Sequence, residues 1–196
     1  MIRTFFKHGS NAVLVAALLA AAIAFARGAL HFSLLGVAIG AAVFFSSEYT
    51  THRFLFHAKP TSIPFVLRLQ HLLHYDHHVD PAKLDLLFLP LWFTVPVAAL
   101  YFAVYYAIVR DVSLTTSLVF GSLLALTYYE WVHYVAHIPF VPKTPIGKYV
   151  KKYHLWHHFK NEHLWYGVTN PSMDFVMGTY RNVEDADRST TVRELF

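Results

Sequence analysis

The 196-residue sequence contains no cysteine, and only 14% of its residues are charged. Without cysteine the chain forms neither disulfides nor thiolate metal sites. Ordinary soluble domains carry roughly 25% charged residues, so this low figure, together with 56% hydrophobic residues, favours a membrane protein. The length corresponds to one domain, and we expect no nucleic-acid partner.

Long apolar runs occupy much of the sequence. Residues 11–47 carry a single formal charge, Arg27, and are too long for one span, because about 20 helical residues cross a bilayer. Two further runs begin near Leu86 and Val112. The spans predicted from these runs are about 11–28, 30–50, 86–109 and 112–135. We therefore predict an all-α integral membrane protein with four transmembrane helices in two hairpins.

The basic residues predict the orientation in the membrane. Of 16 Lys and Arg residues, only Arg27 and Arg110 lie in the two short turns between paired spans. By the positive-inside rule both termini and the remaining segments are cytoplasmic, in a bacterial inner membrane or, in a eukaryote, the endoplasmic reticulum. A cleaved signal peptide over 12–26 is an alternative, which would leave the orientation of the other spans unchanged.

Histidine is unusually frequent and regularly spaced. Most of the 14 histidines form two blocks with similar spacing. Four histidines of the first block have a counterpart 80 residues later in the second, for example His57 and His137. The first block is His52, His57, His74, His77 and His78, and the second is His133, His137, His154, His157 and His158. Hydrophobic packing has no use for such a repeat, so we predict one enclosed site for two metal ions.

The spacing within each block gathers ligands on helix faces. In each HxxHH cluster the three histidines lie at i, i+3 and i+4 of one helix face, and His133 and His137 are one turn apart. His52 and His57 are five apart, about 140° around an ideal helix, so a helix distortion or a helix end is expected there. Neutral imidazole suits iron, zinc and copper, and ten imidazoles provide about five ligands for each of two ions.

Several segments resemble a known family, the fatty acid hydroxylase/sterol desaturase superfamily, and most closely its fatty acid 2-hydroxylase branch. The segments are Glu48–His57, His71–His78, His133–His137, Tyr153–His158 and Gly167–Tyr180. The resemblance implies a membrane domain over 1–180, with cytosolic cap segments 58–85 and 138–180 holding the metals, followed by a polar tail, 181–196.

The same resemblance implies the chemistry. The ten histidines would bind two iron ions, or zinc in purified protein, and Tyr129 is a catalytic candidate near the site. His71 and His163 are additional candidate ligands. Glu130 stands where these hydroxylases have aspartate. Dioxygen and a lipid acyl chain are the expected substrates, with hydroxylation next to the carbonyl. We expect no fused cytochrome domain, so electrons would come from a separate b-type cytochrome, or a ferredoxin with its reductase.

Two alternatives stay open at this stage. A sterol oxidase/desaturase or carotenoid hydroxylase of the same superfamily would use the same metal site. A non-enzymatic metal carrier or haem-binding protein is the second, although haem needs only two axial histidines. A basic cluster would contact anionic lipid headgroups or dock an acidic electron donor. The cluster comprises Lys143, Lys148, Lys151, Lys152 and Lys160.

Overall fold

The computed structural model describes residues 1–192, and over this range it contains helices and no strand. The α-helices are α1 (Ile2–Lys7), α2 (Gly9–Ala26), α3 (Leu34–Thr51), α4 (Pro64–Gln70), α5 (Asp76–Val79), α6 (Leu91–Val109), α7 (Val112–His137), α8 (Pro145–Phe159) and α9 (Ser172–Met177). Short 3₁₀ turns lie at Leu84–Leu86 and Val183–Asp185. The predicted all-α class is confirmed.

Four helical segments are long and apolar enough to cross a membrane. They are Gly9–Ala26, Leu34–Phe56, Leu84–Val109 and Val112–His137. Left-handed residues end α2 and α6 at the predicted turns, with φ of 68° at Gly28 and 54° at Arg110. Asp111 then starts α7, because its Oδ1 accepts the amide of Leu114 at 2.6 Å. The four predicted membrane helices are therefore present.

The chain forms two compact units. The first comprises Met1–Phe45 and Phe88–Glu130, and the second comprises Ser46–Leu87 and the chain from Trp131 onward. All ten histidines of the two blocks belong to the second unit. Its described part includes residues 181–192 of the polar tail, where the Ser189 hydroxyl donates to Glu162 at 2.8 Å.

In the first unit, small residues bring α3 and α7 into backbone contact. A Cβ added to Gly40 would lie 1.9 Å from the carbonyl oxygen of Leu118, and one added to Gly121 would lie 2.0 Å from that of Val37. The Ser122 hydroxyl donates to the Gly40 carbonyl at 2.9 Å. Such close approach is how membrane helices associate without a hydrophobic driving force between them.

Two wide helical turns carry ligands in the second unit. A π-turn follows α3 at His52–Phe56, and the amide of His57 donates to the carbonyl of His52 at 3.0 Å. A second π-turn lies at His71–Tyr75, directly before α5. Because a π-turn bonds residues five apart, it returns His57 to the side of His52. This is the distortion that the five-residue spacing predicted.

Lys151 connects α8 to the end of α7. Its ammonium group donates to the carbonyls of Val135, Ile138 and Phe140 at 2.7–3.0 Å. The last carbonyls of a helix lack intrahelical donors. The ammonium group of Lys151 supplies a donor to carbonyls at and just beyond the end of α7. Lys151 is therefore a structural residue of the second unit.

The basic cluster is smaller than the sequence suggested. Lys160 also donates to a backbone carbonyl, that of Val183. Lys143, Lys148 and Lys152 remain exposed. Only these three of the five lysines are available to a lipid headgroup or a partner protein.

Candidate metal centre

The ten histidines converge in two groups of five. The first group is His52, His57, His74, His78 and His157, and the second is His77, His133, His137, His154 and His158. Within each group, one nitrogen per ring lies within 4.8 Å of the others. His57 and His137 are half-buried, and the other eight side chains are buried.

The groups do not follow the two blocks of the sequence, because the blocks exchange one histidine. His77 joins the second group, and its counterpart in the repeat, His157, joins the first. Successive residues of a helix project about 100° apart. The outer histidines of HxxHH, at i and i+4, therefore share one side of the helix face, while the i+3 histidine points to the other. Each HxxHH helix thus contributes to both groups.

The nitrogen spacing corresponds to a coordination shell. The Nε2–Nε2 distances are 3.1 Å for His52–His74, 2.7 Å for His57–His74, 3.0 Å for His57–His157, 3.0 Å for His77–His133 and 2.9 Å for His137–His154. A metal–nitrogen bond of about 2.1 Å places ligands at right angles about 3 Å apart. The nitrogens are therefore spaced as neighbouring ligands of one ion are.

Backbone carbonyls fix the tautomers of two ligands in the first group. Nδ1 of His52 contacts the carbonyl oxygen of Tyr166 at 2.5 Å, and Nδ1 of His157 contacts that of Leu164 at 2.8 Å. A carbonyl only accepts, so Nδ1 carries the proton and donates it. The lone pair of Nε2 then faces the group, which is the arrangement of metal-bound histidine.

Burial keeps the imidazoles neutral, with repulsion between neighbouring rings as a second cause. It lowers the pKa of His77 to about 3 and holds the pKa of other ligands well below 6.5, namely His57, His74, His78, His154, His157 and His158. Metal ligation requires the neutral form. These candidate ligands are therefore in the protonation state that binds a cation.

The donor set fits a pair of metal ions. Among the residues described, neither ring nitrogen of His158 has a hydrogen-bond partner although the side chain is buried. Because His52 and His157 present lone pairs at Nε2, His74 and His57 must both donate to them, which leaves the 2.7 Å contact between His74 and His57 without an acceptor. Over residues 1–192 neither group includes a carboxylate. One cation per group would satisfy these nitrogens, in an all-imidazole environment suited to iron, zinc or copper.

Two of the candidate ligands lie outside both groups. The side chain of His71 is 52% exposed, with Nδ1 2.9 Å from Oδ1 of Asp76. That of His163 is 59% exposed, with Nε2 3.3 Å from Oε1 of the buried Glu162. The structure therefore does not bring His71 or His163 to the ten clustered histidines.

Tyr129 and Glu130 belong to the first unit. Tyr129 is buried, and its ring centroid lies 6.2 Å from that of Phe44. Oε1 of Glu130 accepts the amide of Leu89 at 3.0 Å. The catalytic role of Tyr129 stays a prediction from the resemblance.

The residues around the first group were not identified from the sequence. Leu164 and Tyr166 act through backbone carbonyls, which leave no side-chain signal. Glu48 accepts hydrogen bonds from Val168 and Thr169. Glu48 could have been identified from its position, because an ionisable residue inside an apolar membrane helix usually marks a functional site.

The chain is similar to known proteins. The family model described as "Fatty acid hydroxylase" matches residues 37–179. A dihydroceramide fatty acyl 2-hydroxylase of Arabidopsis thaliana is 32% identical over 155 residues, 79% of this chain and 64% of that protein. A ceramide very long chain fatty acid hydroxylase of Saccharomyces cerevisiae is 32% identical over 146 residues, 72% of this chain and 37% of that protein.

A solved structure is also similar. It is full-length Scs7p, of which only the hydroxylase domain is visible, with a TM-score of 0.74 and 30% sequence identity. The match covers 91% of this chain and 66% of that one. The chain thus spans less than two thirds of the length of the relatives that it matches.

Proposed function

The chain belongs to the fatty acid hydroxylase family, and from that premise we propose that it is an integral membrane enzyme that hydroxylates a lipid acyl chain. The attacked carbon is the one next to the carbonyl, as the names of the 2-hydroxylase relatives suggest. The observation that carries the proposal is the pair of five-histidine groups. Haem would use only two axial histidines and would leave eight of the ten convergent imidazoles without a role.

Two iron ions complete the proposed site, with zinc as the ion that purified protein would also accept. When bound, the iron pair supplies the oxidising power needed to insert oxygen from dioxygen into an unactivated C–H bond. The ten clustered histidines hold the ions through neutral ring nitrogens. Burial of eight of these side chains excludes water from the site, and the carbonyls of Leu164 and Tyr166 keep two rings in the binding orientation.

The reaction also needs partners. Electrons come from a separate b-type cytochrome, or a ferredoxin with its reductase, and the exposed Lys143, Lys148 and Lys152 offer a basic surface for an acidic donor. Tyr129 remains the proposed catalytic side chain, on the resemblance alone.

The proposed orientation places the histidine segments and both termini in the cytoplasm. The absence of cysteine makes single-cysteine labelling direct, with Arg110→Cys in a short turn and Lys143→Cys between α7 and α8. In bacterial cells with a permeabilised outer membrane, an impermeant maleimide is expected to label Arg110→Cys at once. Lys143→Cys should react only after the inner membrane is opened. Labelling in the opposite order would invert the orientation.

The proposed activity is tested by lipid mass spectrometry on cells that express the chain. New acyl lipids one oxygen atom heavier are expected, with fragments that place the hydroxyl beside the carbonyl. Cells expressing His157→Ala serve as the control and should lack these products. Altered carotenoids or sterols, without any change in acyl lipids, would instead assign the chain to another activity of the superfamily.

A further inference from the structure

A short strap, residues 164–169, lies between α8 and α9 and presents its carbonyls to the first histidine group. Leu164 and Tyr166 bind the Nδ1 atoms of His157 and His52. Between these two carbonyls lies Trp165, which is fully buried and has a φ of 58°. A bulky residue rarely adopts the left-handed conformation, so the surrounding structure must hold the strap in place.

Two buried carboxylates bind four consecutive amides of the strap. Asp174 accepts the amides of Tyr166 and Gly167, each at 2.8 Å. Glu48 accepts those of Val168 at 2.7 Å and Thr169 at 3.0 Å, and also the Thr169 hydroxyl at 2.6 Å. Asp174 and Glu48 are 0% and 8% exposed. Hydrogen bonds to a carboxylate are about twice as strong as neutral ones, so these two side chains fix the backbone of the strap.

Two hydroxyl groups connect Asp174 to the guanidinium group of Arg53. Thr179 donates to Asp174 at 2.7 Å, Tyr49 lies 2.8 Å from Thr179, and Arg53 donates to Tyr49 at 2.8 Å. Each hydroxyl donates once and accepts once along this series. Arg53 and Tyr49 flank His52 in the sequence, so the same region that supplies the ligand also supports the strap.

The support reaches only one of the two groups. His52 and His157, whose Nδ1 atoms the strap binds, both belong to the first group. In the second group, the Nδ1 atoms of His77, His154 and His158 have no hydrogen-bond partner among the residues that the structure describes. The strap therefore orients two rings of the first group and none of these three rings of the second.

We infer that Glu48 and Asp174 are positioning residues, which hold the strap so that its carbonyls orient His52 and His157, and that they support metal binding in the first group alone. The inference rests on the proposed metal site and not on the proposed substrate. Loss of outer partners of metal ligands typically weakens metal binding 10- to 100-fold. Disturbing either carboxylate should therefore weaken one ion and leave the other unchanged.

The experiment compares Glu48→Ala with a matched surface control, Glu184→Gln, which lies exposed in the tail. Purified protein is loaded with Fe²⁺ or Co²⁺, dialysed against graded concentrations of a chelator, and assayed for metal per chain. The control should lose its ions at the same chelator concentrations as the wild type. Glu48→Ala should lose one ion at concentrations roughly 10- to 100-fold lower and the other at the wild-type concentration.

Combination with ligand variants assigns the ion that is lost. Adding His157→Ala to Glu48→Ala should remove no further ion, whereas adding His154→Ala should remove the second. Equal weakening of both ions, or no change in either, would overturn the inference. Circular dichroism and gel filtration establish that the variant is folded.

A second variant keeps the test valid when Glu48→Ala does not fold. In Asp174→Asn an amide nitrogen replaces one carboxylate oxygen, so one amide of the strap loses its acceptor in either orientation of the side chain. The same selective loss is expected, and retention of both ions at wild-type strength would contradict the inference. A wild-type chain that binds no ions would overturn the metal site itself, whereas inactivity with two ions bound would overturn only the proposed substrate.

Discussion

His157→Ala is expected to abolish hydroxylation and to release the ion of the first group, although His157 belongs to the second histidine block. The structure assigns this ring to the group of His52 and His57, with its Nε2 3.0 Å from that of His57. Even the outer partners of metal ligands are worth 10- to 100-fold in affinity, so removing a ligand should cost about 100-fold or more. His154→Ala should release the other ion.

Double variants distinguish two arrangements of the ligands. In one, the sequence blocks exchange His77 and His157, and in the other, each block binds its own ion. His52→Ala with His157→Ala removes two ligands of one group, so one ion should remain. His154→Ala with His157→Ala affects both groups, so both ions should be lost. The opposite pattern would mean that each block binds its own ion. His31→Ala, at an exposed histidine, is the control that retains two ions and full activity.

Acid is expected to unfold the metal-free protein at the histidine site. Burial lowers the pKa of seven ligands outside the membrane helices, whereas an unfolded histidine has a pKa of about 6.5. Below that pH the unfolded chain binds more protons than the folded chain, so stability falls as pH falls. Each of the seven histidines adds to the slope of stability against pH, so the loss of stability should be steep.

The measurement is tryptophan fluorescence and circular dichroism in detergent between about pH 8 and pH 5, with and without chelator. The chelated protein should unfold below about pH 6.5, and the metal-loaded protein should unfold at a lower pH because bound ions compete with protons for the same nitrogens. Equal stability of the chelated protein at both ends of this range would contradict the prediction.

Much of the architecture follows from local patterns. Apolar runs longer than one span, interrupted by single charges at Arg27 and Arg110, were sufficient to predict four membrane helices in two hairpins. The repeat of histidines predicted a shared metal site. A distortion or a helix end after α3 was also predicted, because His52 and His57 are about 140° apart around an ideal helix. The structure has a π-turn there.

The exchange between blocks could not be predicted in the same way. Helical spacing places the three histidines of HxxHH on one face but does not say which distant ring each will meet. That depends on how the helices pack, which is a non-local property. The roles of Glu48 and Lys151 could not be predicted for the same reason. Glu48 binds backbone amides far along the chain, and Lys151 binds backbone carbonyls at the end of another helix.

The exchange of His77 and His157 means that neither histidine block contains the full set of either group. Each HxxHH helix supplies two histidines to one group and one histidine to the other. Each five-histidine group therefore forms only when both halves of the sequence repeat pack together, so the site is a product of the tertiary fold and not of either block alone.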